Sequence, residues 1–214
     1  LDLFEHLNKN GSFLFLSTSE VYSCLLSPPF NESQIGNTNT DHPRACYIEG
    51  KRTGETICNE YRRLGINAKS ARLSLAYGPG TKQHDKRVIN NFIEKALTQG
   101  KIDMLDQGEA KRTYCYVTDA VEILWNILLF GKDNIYNVGG VSRITIAELA
   151  KLIAKETGVS VIFPKHSSDL LGAPDDVYLD LTKIQQEFNK HQFVSLEDGI
   201  RTTINWQKNL YNKS

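Results

Sequence analysis

Tyr47 and Lys51 lie one helical turn apart in the run Ala45-Cys46-Tyr47-Ile48-Glu49-Gly50-Lys51-Arg52, and residues at that spacing share a helix face. A phenol ionises near pH ~10, too high for a base at neutral pH, and an adjacent ammonium favours the phenolate. Upstream, the apolar Phe13-Leu14-Phe15-Leu16 runs into Ser17-Thr18-Ser19-Glu20-Val21-Tyr22. A hydroxyl and a carboxylate at the end of such a strand supply a relay and a second acid/base group. This set suits removal of a proton from a sugar or alcohol hydroxyl while hydride leaves the same carbon. Tyr-x-x-x-Lys alone is a common coincidence, and the strand end upstream is what gives it weight.

The elements that must position these groups can be read from periodicity and breakers. The first seven residues have the pattern of the end of an amphipathic helix, stopped by Gly11, and residues 12–16 form a short buried strand. Residues 23–44 are polar, rich in Asn, Thr and Pro, and read as a long loop, functional or mobile. A helix is expected over 45–64, ending at Gly65 with Arg62 and Arg63 in its last turn. Further strands are expected at 68–75, 102–105, 113–117 and 134–138, and a helix at 87–98. The spacings Asp119-x-x-Glu122, Thr145-x-x-Glu148 and Ser195-x-x-Asp198 read as caps opening three more helices. Alternating strands and helices indicate an α/β chain with parallel pairing. Residues 1–77 read as the second half of a Rossmann-like parallel sheet. Residues 78–214 read mainly as a smaller α/β substrate domain with some return to the main sheet.

Composition narrows the partners. The 214 residues carry 25 basic and 25 acidic side chains, which argues against nucleic acid or an anionic membrane as a bulk electrostatic partner. No apolar run approaches a membrane span. Cys24, Cys46, Cys58 and Cys115 form no metal-like spacing; buried free thiols and a reducing cytoplasm are expected. His42, His84, His166 and His191 show no ligand spacing, and no metal is expected. Tyr114, Tyr116, Trp125 and Trp206 recur as core residues do, and Ile48, Ile57 and Leu64 give the Tyr47 helix an apolar stripe. No G-x-G-x-x-G or G-x-x-G-x-x-G follows a strand. The chain is therefore expected to begin inside a domain, with the pyrophosphate-binding loop upstream of Leu1, and to be inactive by itself.

With these residues in hand, the chain resembles the extended short-chain dehydrogenase/reductases, the NAD-dependent nucleotide-sugar epimerase/dehydratase group, and within it the UDP-glucuronate decarboxylases. The stretches that carry the resemblance are Ser17 to Tyr22, Pro43 to Arg52, Ala71-Arg72 through Tyr77-Gly78-Pro79, Arg87 to Ile93, and Arg112 to Asp119. The resemblance implies NAD as cofactor, a UDP-sugar as substrate and a homodimer.

Residue by residue, it implies that Tyr47 takes the proton of the sugar O4 and that Lys51 holds the nicotinamide ribose. Thr18 hydrogen-bonds the same oxygen, Glu20 stands at the catalytic carboxylate, and Ser19 is a substrate contact. Ala76 and Arg87 fall on the cofactor side, Asn91 on the nucleotide side, and Arg112 on the substrate diphosphate. Oxidation at C4 gives a 4-keto sugar. A C5 carboxylate then leaves as carbon dioxide, a C5 proton leads to loss of water, and hydride return to the other face gives an epimer. Glu20 favours the first two, because epimerisation needs no proton transfer at C5.

Two positions depart from the pattern. Leu75 stands where the family has Asn, and Asp175-Asp176-Val177-Tyr178-Leu179-Asp180-Leu181 lacks the expected Arg for a substrate carboxylate. A 4,6-dehydratase, a 4-epimerase and a non-catalytic nucleotide-sugar-binding module remain alternatives. Plainer readings stand beside the sharper ones. Arg112 can pair with Glu109, Arg87 can be a solvated residue early in its helix, and Asp119 reads as a helix cap rather than an acid.

Overall fold

Bulky residues between Ser12 and Ser17 suit an extended, half-buried strand, and Ser12–Thr18 forms β1. The computed structural model describes residues 2–8, 10–165 and 176–211. A short α1 (Asp2–Glu5) precedes β1, and a 3-10 turn (Ser19–Tyr22) follows it. Next come α2 (Ala45–Arg63), β2 (Asn67–Leu73), β3 (Leu75–Tyr77), α3 (Val88–Gln99) and β4 (Lys101–Asp103). The chain continues through β5 (Lys111–Tyr116), α4 (Val117–Phe130), β6 (Ile135–Val138), β7 (Ser142–Thr145), α5 (Ile146–Thr157), β8 (Ser160–Ile162), α6 (Thr182–Phe188) and α7 (Leu196–Tyr211).

The strand expected over 68–75 is two strands in two sheets. In the first sheet β2 lies between β1 and β6, all parallel, with Thr18 opposite Leu73 and Leu73 opposite Val138. Ser74 ends it: its N–H goes to Val138 O (2.8 Å), while its hydroxyl reaches across to Thr113 O (2.9 Å). The chain then enters a second sheet as β3, parallel to β5, and β5 pairs antiparallel with β7. β4 and β8 form a parallel pair of their own. Pairing is thus mostly parallel, with β7 the exception. β7, β8 and α6, short and weakly patterned, were not legible in the sequence.

Three apolar clusters hold these layers. Phe4, Cys58 and Ala68, with Phe13, Phe15 and Tyr61, fill the space under α2. Val21, Tyr22, Ala71, Ile123, Ile127, Tyr136, Val138 and Ile184 fill the other face, under α4 and α6. The third, with Tyr77, Ile93, Ile102, Tyr114, Leu149, Ile153 and Ile200, joins the second sheet to α3, α5 and α7. Among the described residues no helix is long and apolar enough to cross a membrane.

Several expectations fail here for physical reasons. Asp119 is no cap: α4 starts at Val117, and Asp119 is buried, paired with Lys190 Nζ (2.9 Å) and accepting from Val194 N–H (2.9 Å). Those partners lie far along the chain, and so the cap-like spacing misleads. Thr145 and Glu148 do form a reciprocal capping box. Trp125 and Leu64 are largely exposed, and Trp206 is partly so, at 39%. All four cysteines are free, but Cys24 and Cys46 are exposed and only Cys58 and Cys115 are buried. His166 and Asp175 lie outside the described residues.

The long loop is anchored rather than loose. Phe30 is buried and bridges to Leu179. Arg52 Nη2 donates to Val21 O (3.0 Å) and Gly36 O (2.7 Å), and Arg72 Nη1 donates to Glu32 O (3.1 Å) and Gln34 O (2.9 Å).

Two glycines one turn apart in α2 play opposite parts. A Cβ at Gly54 would sit 2.2 Å from Phe15 Cζ, whereas one at Gly50 would meet nothing within 4 Å. Gly54 is therefore the point where the helix backbone rides on the β1 ring beneath it. Gly50→Ala is expected to stabilise the protein by about 0.5–1 kcal/mol through helix propensity. Gly54→Ala is expected to destabilise it by about 1–3 kcal/mol through overpacking. Urea denaturation of the two variants checks this, and stabilisation by both would remove the close-approach account.

Candidate active site

The turn after β1 places Thr18 and Glu20. Thr18 has extended backbone and caps the 3-10 turn, its Oγ1 accepting from Glu20 N–H (3.2 Å). That bond uses a lone pair, so the Thr18 hydroxyl proton can still be donated. Ser19, first in the turn, is buried. α2 packs on β1, β2 and this turn, which brings its first residues to the carboxyl end of β1. Tyr47 lies in the first turn of α2 and is 42% exposed, so its ring is open to a ligand.

Lys51 occupies the next turn. Its Nζ donates to Leu16 O (2.8 Å) and lies 5.2 Å from the Phe15 ring centre and 5.7 Å from that of Tyr47. The spacing in the sequence thus becomes a real juxtaposition of phenol and ammonium, with β1 fixing the ammonium.

Arg44 completes the group, and sequence reasoning gave it no role. Its Nη2 donates to Glu20 Oε1 (2.6 Å), its Nε donates to Glu20 Oε2, and its guanidinium carbon lies 5.2 Å from the Tyr47 ring centre. The Glu20 bonds hold the Arg44 guanidinium above the ordinary arginine range, against a smaller effect of burial. The available signal was position: Arg44 stands three residues before Tyr47, at the N-cap of α2.

Beneath this surface group lies a buried polar one. Arg72 Nε and Nη2 donate to Glu55 Oε1 (3.0 Å) and Oε2 (2.8 Å), both side chains being almost wholly buried. Ser17 donates to Glu55 Oε1 (2.5 Å), Arg72 Nη1 to Tyr22 OH (2.9 Å), and Tyr22 OH to Asn137 Oδ1 (2.7 Å). Burial works against the charge on Arg72, but the bonds and field of Glu55 and Tyr22 outweigh it and raise its pKa. Burial pushes the Tyr22 phenol up to about 12, with Arg72 opposing. The network clamps β1, β2, β6 and α2 together just below Thr18.

The remaining sequence candidates stand on other elements. Ala76 lies in β3, a few residues beyond Leu73, the register partner of Thr18. Arg87 is the N-cap of α3 and bonds Asp85 through Nη2 (2.5 Å). Asn91 lies one turn into α3, its N–H bonded to Arg87 O (2.9 Å). Arg112, in β5, donates from Nη1 to Lys111 O (2.7 Å). Among the described residues no group of three or more His, Cys, Asp or Glu could hold a metal ion.

A parallel sheet with Tyr, Lys, Thr and Glu gathered at the carboxyl end of one strand has the layout of an α/β nucleotide-binding enzyme. Residues 1–139 match the family model of the NAD dependent epimerase/dehydratase family, and the chain belongs to that family. It is 32% identical over 193 residues to UDP-glucuronic acid decarboxylase 1 of Arabidopsis thaliana, covering 88% of this chain and 43% of that protein. It is 35% identical over 192 residues to UDP-glucuronic acid decarboxylase 6 of the same plant, covering 87% and 54%. The chain thus spans about half the length of these relatives.

Among solved structures, the UDP-glucuronic acid 4-epimerase of Bacillus cereus, in complex with UDP-glucuronic acid and NAD, superposes with a TM-score of 0.83. The two are 23% identical, and 98% of this chain and 65% of that one are covered. The dTDP-glucose 4,6-dehydratase DesIV of Streptomyces venezuelae, with NAD and TYD bound, gives 0.79 at 25% identity, covering 94% and 61%. These likenesses agree on the fold and on a Rossmann-like family architecture.

Proposed function

We propose that the protein is an NAD-dependent enzyme that modifies a nucleotide sugar through a 4-keto intermediate, and that its reaction is decarboxylation of UDP-glucuronate. The observation that carries the reading is that the turn bearing Thr18 and Glu20, at the carboxyl end of β1, packs against the helix on which Tyr47 and Lys51 lie side by side. The first relatives, all decarboxylases by name, favour that outcome over the dehydratase and epimerase chemistries of the structural neighbours.

The residues present fit a nicotinamide ribose. An ammonium has three hydrogens, Leu16 O takes one, and the Lys51 side chain is reachable from solvent. What a nicotinamide supplies when bound is reversible uptake of hydride from a carbinol carbon. Tyr47 takes the proton of the sugar O4 and Thr18 donates to that oxygen. Lys51 places positive charge beside the Tyr47 phenolate, which accepts this proton and becomes the phenol. Glu20 acts on the acid/base demand at C5 that follows oxidation at C4. Ala76 and Arg87 are assigned to the cofactor side, and Ser19, Asn91 and Arg112 to the substrate side. The reading carries with it a homodimer and a cytoplasmic setting.

The test is product analysis with the full-length protein, NAD and UDP-glucuronate. A UDP-pentose with release of carbon dioxide is expected. A C4 epimer retaining the carboxylate would replace decarboxylation by epimerisation. Conversion of UDP-glucose to a 4-keto-6-deoxy sugar, with UDP-glucuronate untouched, would replace it by dehydration.

A further inference from the structure

We propose that Arg44 reads the substrate's carboxylate, and that in the ligand-free state Glu20 occupies the place on its guanidinium that this carboxylate takes. The proposal rests on the nucleotide-sugar reading above and adds the residue that distinguishes a uronic sugar from a hexose.

Arg44 is hard to explain as part of the helix. An N-cap favours a small side chain that accepts from the first turn, yet Arg44 makes no side-chain cap bond. A cation at the amino end also opposes the helix dipole. Its own N–H is instead tied to His42 Nδ1 (3.2 Å), which fixes where the side chain leaves the backbone. Two local preferences are therefore broken immediately before Tyr47, and such breaks concentrate at functional positions.

Its side chain answers to the site rather than to the helix. One edge of the guanidinium, Nε and Nη2, grips both oxygens of Glu20 while its carbon lies 5.2 Å from the Tyr47 ring centre. That fork is the geometry with which arginine recognises carboxylates in general. The pair is also reachable: the Arg44 and Glu20 side chains are 47% and 25% exposed. An exposed ion pair contributes little net stability, and exchanging one carboxylate for another keeps the number of bonds. A uronic sugar anchored through its diphosphate presents its carboxylate at high local concentration. It displaces Glu20 from the fork, since one edge cannot hold two carboxylates bidentately, and Glu20 is released toward the sugar. A hexose with a neutral hydroxymethyl group makes no such exchange. The segment at 176–181, where the sequence lacks an arginine, then needs none.

Isothermal titration of the full-length, NAD-loaded protein with UDP-glucuronate and UDP-glucose tests this. Arg44→Gln is expected to weaken UDP-glucuronate about 10- to 100-fold, the range of a charge-assisted hydrogen bond, and UDP-glucose less than about threefold. Arg44→Lys recovers part of the loss, because the charge returns without the fork. Glu20→Gln, which weakens the competitor, tightens UDP-glucuronate several-fold and leaves UDP-glucose unchanged. Equal losses on both sugars in Arg44→Gln, or no gain in Glu20→Gln, would overturn the proposal while the nucleotide-sugar reading stands. Failure of the unaltered protein to bind either sugar would remove that reading and this one together.

Discussion

Tyr47→Phe is expected to lower kcat of the full-length protein by about 10²- to 10⁴-fold, the usual contribution of a positioned proton-transfer group. KM and the melting temperature should stay close to those of the unaltered protein. The change removes one oxygen and leaves the ring that Arg44 and Lys51 flank at 5.2 and 5.7 Å. Because the ring is 42% exposed, little packing depends on the hydroxyl. A fall in kcat without a rise in KM identifies an interaction made chiefly in the transition state. Steady-state rates with UDP-glucuronate, beside a thermal melt, read both quantities. Unchanged turnover would dispose of Tyr47 as the base, and with it the mechanism proposed above.

The parts of this site visible in the sequence are those built from local spacing. Tyr47 and Lys51 are one turn apart on a helix whose limits, Ala45–Arg63, nearly match the expected span. Thr18 and Glu20 close a strand whose apolar run was plain. Invisible were the contacts made across long stretches of chain. Arg44 reaches Glu20 over the whole 23–44 loop, and no periodicity announces which acid a lone arginine will meet. The same blindness turned Asp119 into an apparent cap, because its partner Lys190 lies on a distant segment. Charged residues are ordinarily assigned to the surface, so the burial of Glu55 and Arg72 had no signal either. The loop itself, read as functional or mobile, is held by carbonyls bonded to arginines from α2 and β2, which composition cannot register. Trp125 and Trp206 fail in the opposite sense: large aromatic residues were assigned to the core, yet Trp125 stands largely open to solvent and Trp206 partly so.

The largest loss of stability should come from Glu55→Ala. It leaves the Arg72 guanidinium inside the protein with Tyr22 OH and two loop carbonyls but no countercharge. Breaking a buried ion pair from one side costs about 3–5 kcal/mol, a large share of the stability of an ordinary domain. Ser17 loses its acceptor in the same step, at the residue before Thr18. Removing both charges, in Glu55→Leu with Arg72→Met, should cost less than the sum of the single changes, because no unpaired ion is then left buried. The loop carbonyls of Glu32 and Gln34 remain without Arg72 in that double variant, so recovery is incomplete. Urea denaturation of the three variants gives these energies. A loss below about 1 kcal/mol for Glu55→Ala would mean that water reaches the pair and that the network is not dry. The consequence extends to the site. Residues 23–44 join the turn that carries Glu20 to the helix that starts after Arg44, and Arg72 is one of the groups that hold this segment on the sheet. Glu55→Ala should therefore also expose the loop to protease under native conditions and loosen the register between Glu20 and Arg44. Catalytic geometry at the surface is in this sense set by a charge pair beneath it.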